Sequence, residues 1–450
     1  MSSGLAVLLV AGVLIALLLL KMPVWLALAI SGGIGLWVLR DEAFVGSTLA
    51  TASYEETSTF SLTIIPMFIL LGVFAVRAKV AEQVFTIARR AFTKIPGGIG
   101  IATVAACAGF AAVSGSSIGT AATMSRLSVG EMRKAGYPAS MAGALVAVAG
   151  TLGAMIPPSL FLVLYAILAN VSIAQMLAAG IVPGTLSAVI YATYILIRTR
   201  KYSKVSSNGS ALAQEIDVEI EKSQGRQQAT GLPYRGLFRL GIIFAIIMGG
   251  IYSGLFTPTE SAAIGALAAL VILVLEFKTN GVREIARQFV GALTETAKTS
   301  TMVFAVIVGS SILSTFFVVA RVPQTISNSV TSLDIPDWAI MALLLVFLIP
   351  LGMALESISI LVITVPLIYP VAMDMGFDGI WLGVMIIKLI EIGMVTPPVG
   401  INVFVVAGTA RLPSIEVFKG VWPFVVLEIL LLVGFFIFPD VVLWLPSLVQ

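Results

Sequence analysis

The sequence predicts an all-α polytopic membrane protein made of two repeats of opposite orientation, each with a re-entrant helical hairpin and a broken transmembrane helix. Three observations carry that expectation. Of the 450 residues, 59% are hydrophobic and only 11% charged, the mean hydropathy is +1.07, and apolar runs long enough to span hydrocarbon recur from end to end. Two of those runs are cut by the same device, a proline pair, at Gly150 to Phe161 (GTLGAMIPPSLF) and Glu391 to Asn402 (EIGMVTPPVGIN). One constant offset also relates Pro157–Pro158 to Pro397–Pro398, Ser117 to Ser357, and Pro183 to Pro423, as a duplication leaves behind.

Residues 1–60 read as N-terminal scaffold spans, Leu5 to Leu20 and Val24 to Leu39, joined at Lys21-Met22-Pro23 and followed by an acidic-leaning stretch to Phe60. No basic region precedes the first apolar core and Lys21 follows it, so a retained span with its N-terminus outside is expected rather than a cleaved signal. The first repeat, 61–197, opens with a span at Ser61 to Val76. Through Arg77 to Pro96, basic residues then alternate with Val80, Val84, Phe85, Ile87 and Phe92, which predicts an amphipathic helix lying on the membrane surface.

Residues 97–130 are interrupted by Ser114-Gly115-Ser116-Ser117, leaving arms shorter than the roughly 20 residues of a full span. A re-entrant hairpin with a polar tip is the expected outcome. The first broken helix occupies 138–169, and a full span closes the repeat at Ile173 to Ile197. The polar interval 198–236 is expected to be a cytoplasmic loop with room for one amphipathic helix. In 237–289, two connecting spans flank Phe256-Thr257-Pro258-Thr259-Glu260-Ser261, where Pro258 sets a bend and Glu260 begins the next helix. The second repeat, 290–450, holds a hairpin at 338–373, interrupted by Leu351 to Ser357, and a broken helix at 381–410.

Charge fixes the orientation. With the loop after Ile197 in the cytoplasm and both hairpins re-entrant, all of the 26 Lys and Arg residues fall on the cytoplasmic side except Arg40 and Arg321 outside and Arg126 and Lys388 within membrane segments. Both termini are then periplasmic. The hairpin flanks lie on opposite sides of the membrane, which is the inverted-repeat plan of secondary transporters.

Two adjacent prolines remove two backbone donors, so each broken helix frees carbonyls that hydrocarbon tolerates only around a cavity or a bound ion. Ser114, Ser116, Ser117 and Thr151, with the backbone at Gly153, form one candidate set for a hard monovalent cation; Gly352, Gly393, Thr396 and Asn402, with Glu356, form another. Half-helix N-termini nearby favour an anionic substrate group, and Ser116, Pro157, Pro397 and Arg126 are the candidate substrate contacts. A serine in a membrane helix more often serves close packing, but a tip paired with a break at the same distance in both halves reverses that preference.

Glu356 reads as a cation ligand, a proton carrier or a group facing outside water, and Arg126 either pairs a carboxylate or snorkels. Lys388 and Glu391, three apart on a helix, are expected to neutralise each other. With no histidine and the single Cys107, a histidine relay, a cysteine metal cluster and an intrachain disulfide are excluded, and an intramembrane enzyme lacks its usual machinery. The net charge of +3 is too small and too dispersed to argue for nucleic acid.

The motifs GSSIGTAAT (115–123), MRKAGYP (132–138), AGTLGAMIPPS (149–159), GGIYSGLFTPTESAAIGA (249–266) and EIGMVTPPVGIN (391–402) resemble those of the large membrane subunit of tripartite ATP-independent periplasmic (TRAP) transporters. They occur in family order across nearly the whole chain. The resemblance implies a sodium-driven importer of small organic acids, such as a dicarboxylate or sugar acid, in the bacterial inner membrane, with an elevator-type transport domain. It also implies two partners, a small four-helix membrane subunit expected as a separate chain and a soluble periplasmic substrate-binding protein. It assigns no role to Arg126. A proton-coupled organic-anion carrier using Glu356 or Glu391 is the nearest alternative reading, and an ion channel a more distant one.

Overall fold

The computed structural model describes residues 3–92, 94–200, 235–325 and 335–449. Every regular element among them is helical. Among the described residues, six helices are long and apolar enough to cross a membrane, or seven when the bent pair at Ala139–Met155 and Leu160–Leu168 is taken as one span.

The first helices are α1 (Ser3–Leu19), α2 (Val24–Leu39), α3 (Glu42–Thr57) and α4 (Ile64–Arg77). Next come α5 (Val80–Phe92), α6 (Gly98–Ser114), α7 (Ser117–Met124), α8 (Gly130–Lys134), α9 (Ala139–Met155), α10 (Leu160–Leu168) and α11 (Ile173–Arg200). A π-turn at Ser125–Val129 joins α7 to α8. Beyond the polar interval lie α12 (Arg235–Tyr252), α13 (Pro258–Phe277) and the long α14 (Val282–Val319). The chain closes with α15 (Asp337–Val346), α16 (Leu348–Ala354), α17 (Ser357–Asp374), α18 (Gly379–Val395), α19 (Ile401–Ala410), α20 (Ser414–Ile437) and α21 (Asp440–Leu443). The loop expected at 198–236 lies almost wholly outside the described residues.

Two packing centres organise these helices. In one, α14 runs along α2 and α4, and α13 lies on α4. The α2–α14 crossing is tight because Gly32 faces the Leu313 backbone and Gly309 faces Trp25. In the other, α9 contacts α6, α7, α11, α18, α19 and α20. Every residue from Met141 to Met155 of α9 and from Trp381 to Val395 of α18 is buried. These two stretches are related by the offset that relates the proline pairs, so the first arms of both broken helices are the paired core of the fold.

Local chemistry accounts for the breaks. The α9 helix ends at Met155, where Ile156 turns extended and two residues without N–H follow. The Ser159 hydroxyl donates to the Ala154 carbonyl, satisfying one group the break frees. The α18 helix ends in the same way at Val395, and Thr396 donates back to Ile392 at 2.6 Å. Both proline pairs contain a cis peptide bond. The turn before α13 is as the sequence predicts: Thr257 caps the helix, Glu260 closes a capping box and Pro258 takes the first helical turn.

The amphipathic helix expected after Arg77 is present as α5, and its apolar residues Val80, Ala81, Val84, Phe85 and Ala88 are buried against α6 and α12. An apolar stripe does not specify its partner, and here protein supplies it.

Candidate functional site

The polar tips and one helix break meet at a single cleft of about 960 Å³, its open mouth included. Its lining takes Ser114 to Gly119 from the first hairpin, Glu356 to Ile358 from the second, and Pro158, Leu160 and Phe161 from the first break. The α4 helix and Glu295 and Thr299 of α14 form the remaining wall.

The first tip is held by glycines. Gly115 has φ 57°, a left-handed turn that ends α6, and sits against the Pro158 carbonyl and the Leu160 amide. A Cβ on Gly153 would stand 3.0 Å from the Ser116 carbonyl, and one on Gly72 would stand 2.7 Å from the Ser114 oxygen. The three serines have separate uses. Ser114 shares a 2.7 Å hydrogen bond with Thr120, and the Ser116 hydroxyl accepts from the Gly119 amide at 3.1 Å as the N-cap of α7. Ser117 is 1% exposed and its hydroxyl has no partner.

At the second tip, Leu355 and Glu356 are extended and Glu356 occupies the N-cap of α17 without capping it. The tip meets the second broken helix through the Ser357 hydroxyl, which donates to the Met394 sulfur at 2.6 Å, and through close backbone contact at two glycines. A Cβ on Gly352 would meet the Gly393 Cα at 2.9 Å, and one on Gly393 would meet the Gly352 Cα at 2.6 Å. The buried Asn402, at the start of α19, reaches the Ala147 carbonyl of α9 at 3.4 Å with its amide nitrogen, while its Oδ1 has no partner.

The cleft therefore gathers Ser114, Ser116, Ser117 and Glu356, with Gly153 directly behind the first tip. Gly352 and Gly393 meet each other outside it. The Thr151 hydroxyl is turned elsewhere, donating to Val148 at 2.8 Å on the side of α9 that faces Tyr191. Pro157 is buried and its neighbour Pro158 is the proline that lines the cleft. Pro397 belongs to the other break, where Pro398 and Val399 are exposed, and Arg126 is exposed on the π-turn. Neither lines the cleft.

A second buried polar cluster lies in the core. Lys388 donates to Glu391 at 2.9 Å, as its spacing predicts, but also to Glu428 at 3.0 Å and Ser187 at 2.8 Å. The isolated acid in the apolar run of α20 was the available sequence signal for Glu428; its partner was not legible.

Comparison with known proteins agrees with this architecture. The family described as "Tripartite ATP-independent periplasmic transporter, DctM component" matches residues 11–441. A C4-dicarboxylate TRAP transporter large permease protein of Pseudomonas aeruginosa is 30% identical over 94% of this chain and 94% of its own length. An ectoine/5-hydroxyectoine TRAP transporter large permease protein of Ruegeria pomeroyi is 29% identical over 97% of each. In fold, the chain is similar to the crystal structure of the Alcanivorax borkumensis YdaH transporter, with a TM-score of 0.58 and 12% identity over 90% of this chain and 89% of that one. A multi-pass helical chain with two hairpin tips and a helix break around one cleft, matched to this family over nearly its whole length, belongs to the DctM component of the tripartite ATP-independent periplasmic transporters and is a transport protein rather than an enzyme.

Proposed function

We propose that this chain is the translocating subunit of a sodium-coupled importer of a small organic acid in the bacterial inner membrane, with both termini periplasmic. A small four-helix membrane subunit and a soluble periplasmic binding protein complete the transporter, the latter delivering the cargo. Relatives of near-equal identity are named for different cargoes, C4-dicarboxylates and ectoine, so membership of the family does not select one.

The observation that carries this reading is the convergence of both hairpin tips and the first helix break on one cleft. One sodium ion is held between the first tip, Ser114 to Ser117, and the backbone at Gly153; a second is held where Gly352 and Gly393 meet, with Thr396 and Asn402. The unpartnered Asn402 Oδ1 supports this assignment, because a buried acceptor left without a donor is what a hard cation satisfies. The core of α9 and α18 carries the cleft past α2, α4 and α14 as an elevator.

The test is uptake of a labelled organic acid by proteoliposomes holding all three components. Uptake that collapses when the sodium gradient is removed is the expected result; uptake indifferent to sodium overturns the coupling. Proton coupling through Glu356 is the second reading, favoured by its unpaired position in the cleft. Uptake retained in Glu356→Gln argues against it.

A further inference from the structure

The buried cluster around Lys388 is short of a hydrogen-bond donor. An ammonium has three N–H groups, and here all three are spent, on Glu391 at 2.9 Å, Glu428 at 3.0 Å and Ser187 at 2.8 Å. Each carboxylate is thereby served at one oxygen. The other oxygens, Glu391 Oε1 and Glu428 Oε1, are buried without a hydrogen-bond partner. The Tyr191 hydroxyl of α11, also buried, faces Glu428 and Thr151 and completes no hydrogen bond either.

Counted as ions, the cluster sets two negative charges against one positive. Lys388, Glu391 and Glu428 are 1%, 2% and 5% exposed, so water does not balance the difference. Neighbouring helices supply no counter-charge among the described residues. The α9, α10, α16 and α19 helices carry no charged residue. On the others packed around the cluster the remaining charges stand near helix ends, at Arg198 of α11, Asp337 of α15, Asp374 of α17, Glu416 and Lys419 of α20, and Asp440 of α21. A charge buried without compensation is strongly destabilising.

One added proton removes both deficits, since it cancels the excess charge and turns an orphaned acceptor into a donor. A sodium ion fits less well. It would stand beside the Lys388 ammonium, which already bridges the two carboxylates, whereas a proton needs no room beyond one carboxyl oxygen.

We propose that Glu391 and Glu428 form a proton-binding site that holds one proton between them, leaving the Lys388 cluster electrically neutral. Two carboxyls coupled in this way titrate as a pair, and the proton belongs to the pair rather than to either residue. Neither acid lines the cleft, so this proton is a fixed part of the fold whatever the cleft binds. It is also confined to the second repeat. The offset that relates the proline pairs puts Thr151 in the place of Glu391 and Val148 in the place of Lys388.

Infrared difference spectroscopy of the purified transporter at neutral pH tests this, because a protonated carboxyl absorbs apart from a carboxylate. Exposed Asp and Glu, with unperturbed pKa values of about 3.9 and 4.3, are ionised there and stay out of that region. The wild type is expected to show a carboxylic-acid band that is lost in Glu391→Gln and lost equally in Glu428→Gln. Each substitution leaves Lys388 one ion-pair partner and a neutral core, and a thermal unfolding transition confirms that each variant is folded before its spectrum is compared. Glu356→Gln, which removes a carboxyl from the cleft, should keep the band that those two remove.

A wild type without such a band overturns the proposal with no variant needed. Loss in only one of the two variants also overturns it, since that carboxyl would then be protonated without regard to its partner. A band that disappears as sodium is added makes the cluster a sodium site in place of a proton site, and overturns it likewise.

Discussion

The Lys388 ammonium lies 3.0 Å from the Glu428 carboxylate, and both side chains are closed off from solvent. With Glu391 at 2.9 Å and Ser187 at 2.8 Å, this one cation ties α18 to α20 and α11. Burying charges is costly, and the arrangement holds because each partner offsets the desolvation of the others. Lys388→Met would leave two carboxylates facing each other in the core. The expected destabilisation is about 3–5 kcal/mol, the range for removing one partner of a buried pair, measured as a lowered unfolding midpoint of the purified protein. Glu428→Gln should cost less, since Lys388 keeps Glu391.

The contact between the second hairpin and the second broken helix depends on two glycines. Gly393→Ala would bring a methyl group to 2.6 Å from the Gly352 Cα, with the Ile349 carbonyl 2.9 Å away. Backbone cannot swing aside as a side chain can, so the helices must part. Overpacking of this kind costs about 1–3 kcal/mol, and the variant should lose both thermal stability and uptake. Gly408→Ala in α19, where an added Cβ meets nothing within 4 Å, is the matched control and should behave as wild type.

Arg126 is exposed on the π-turn between α7 and α8, away from the cleft lining. Arg126→Gln is therefore expected to leave the apparent affinity for cargo unchanged in uptake assays. A marked rise in KM would require the arm to rearrange so that the guanidinium enters the cleft.

These contrasts show what a sequence can carry. The helix breaks were legible because a proline pair has only local consequences: the donors are missing wherever the chain goes. The hairpin tips were legible because polar, glycine-containing interruptions recur at one offset in both halves. The partners of each group were not. Ser114, Ser116 and Ser117 are adjacent and chemically alike, yet one pairs with Thr120, one caps α7 and one is left free. Thr151 sits two residues from Gly153 but on another face of α9, and only the packing of α11 and α7 decides which face meets the tip. The α5 helix shows the same limit, since its stripe announced burial without saying whether lipid or protein would provide it.

Asn402 gives the sharpest test of the ion assignment because its two amide atoms have different fates. The nitrogen makes one long hydrogen bond, 3.4 Å to the Ala147 carbonyl, and Oδ1 makes none. Asn402→Leu keeps the volume of a fully buried side chain and removes an acceptor that the fold itself does not use, so stability should change little. A hydrogen-bonding oxygen offered to a charged partner is worth about 1.5–3 kcal/mol, so losing it should raise the sodium concentration for half-maximal uptake by about tenfold or more. The measurement is a sodium titration of uptake at saturating cargo, with the unfolding midpoint followed in parallel. A shifted sodium curve with an unshifted midpoint places a cation at Oδ1, whereas an unshifted sodium curve removes Asn402 from the ion site.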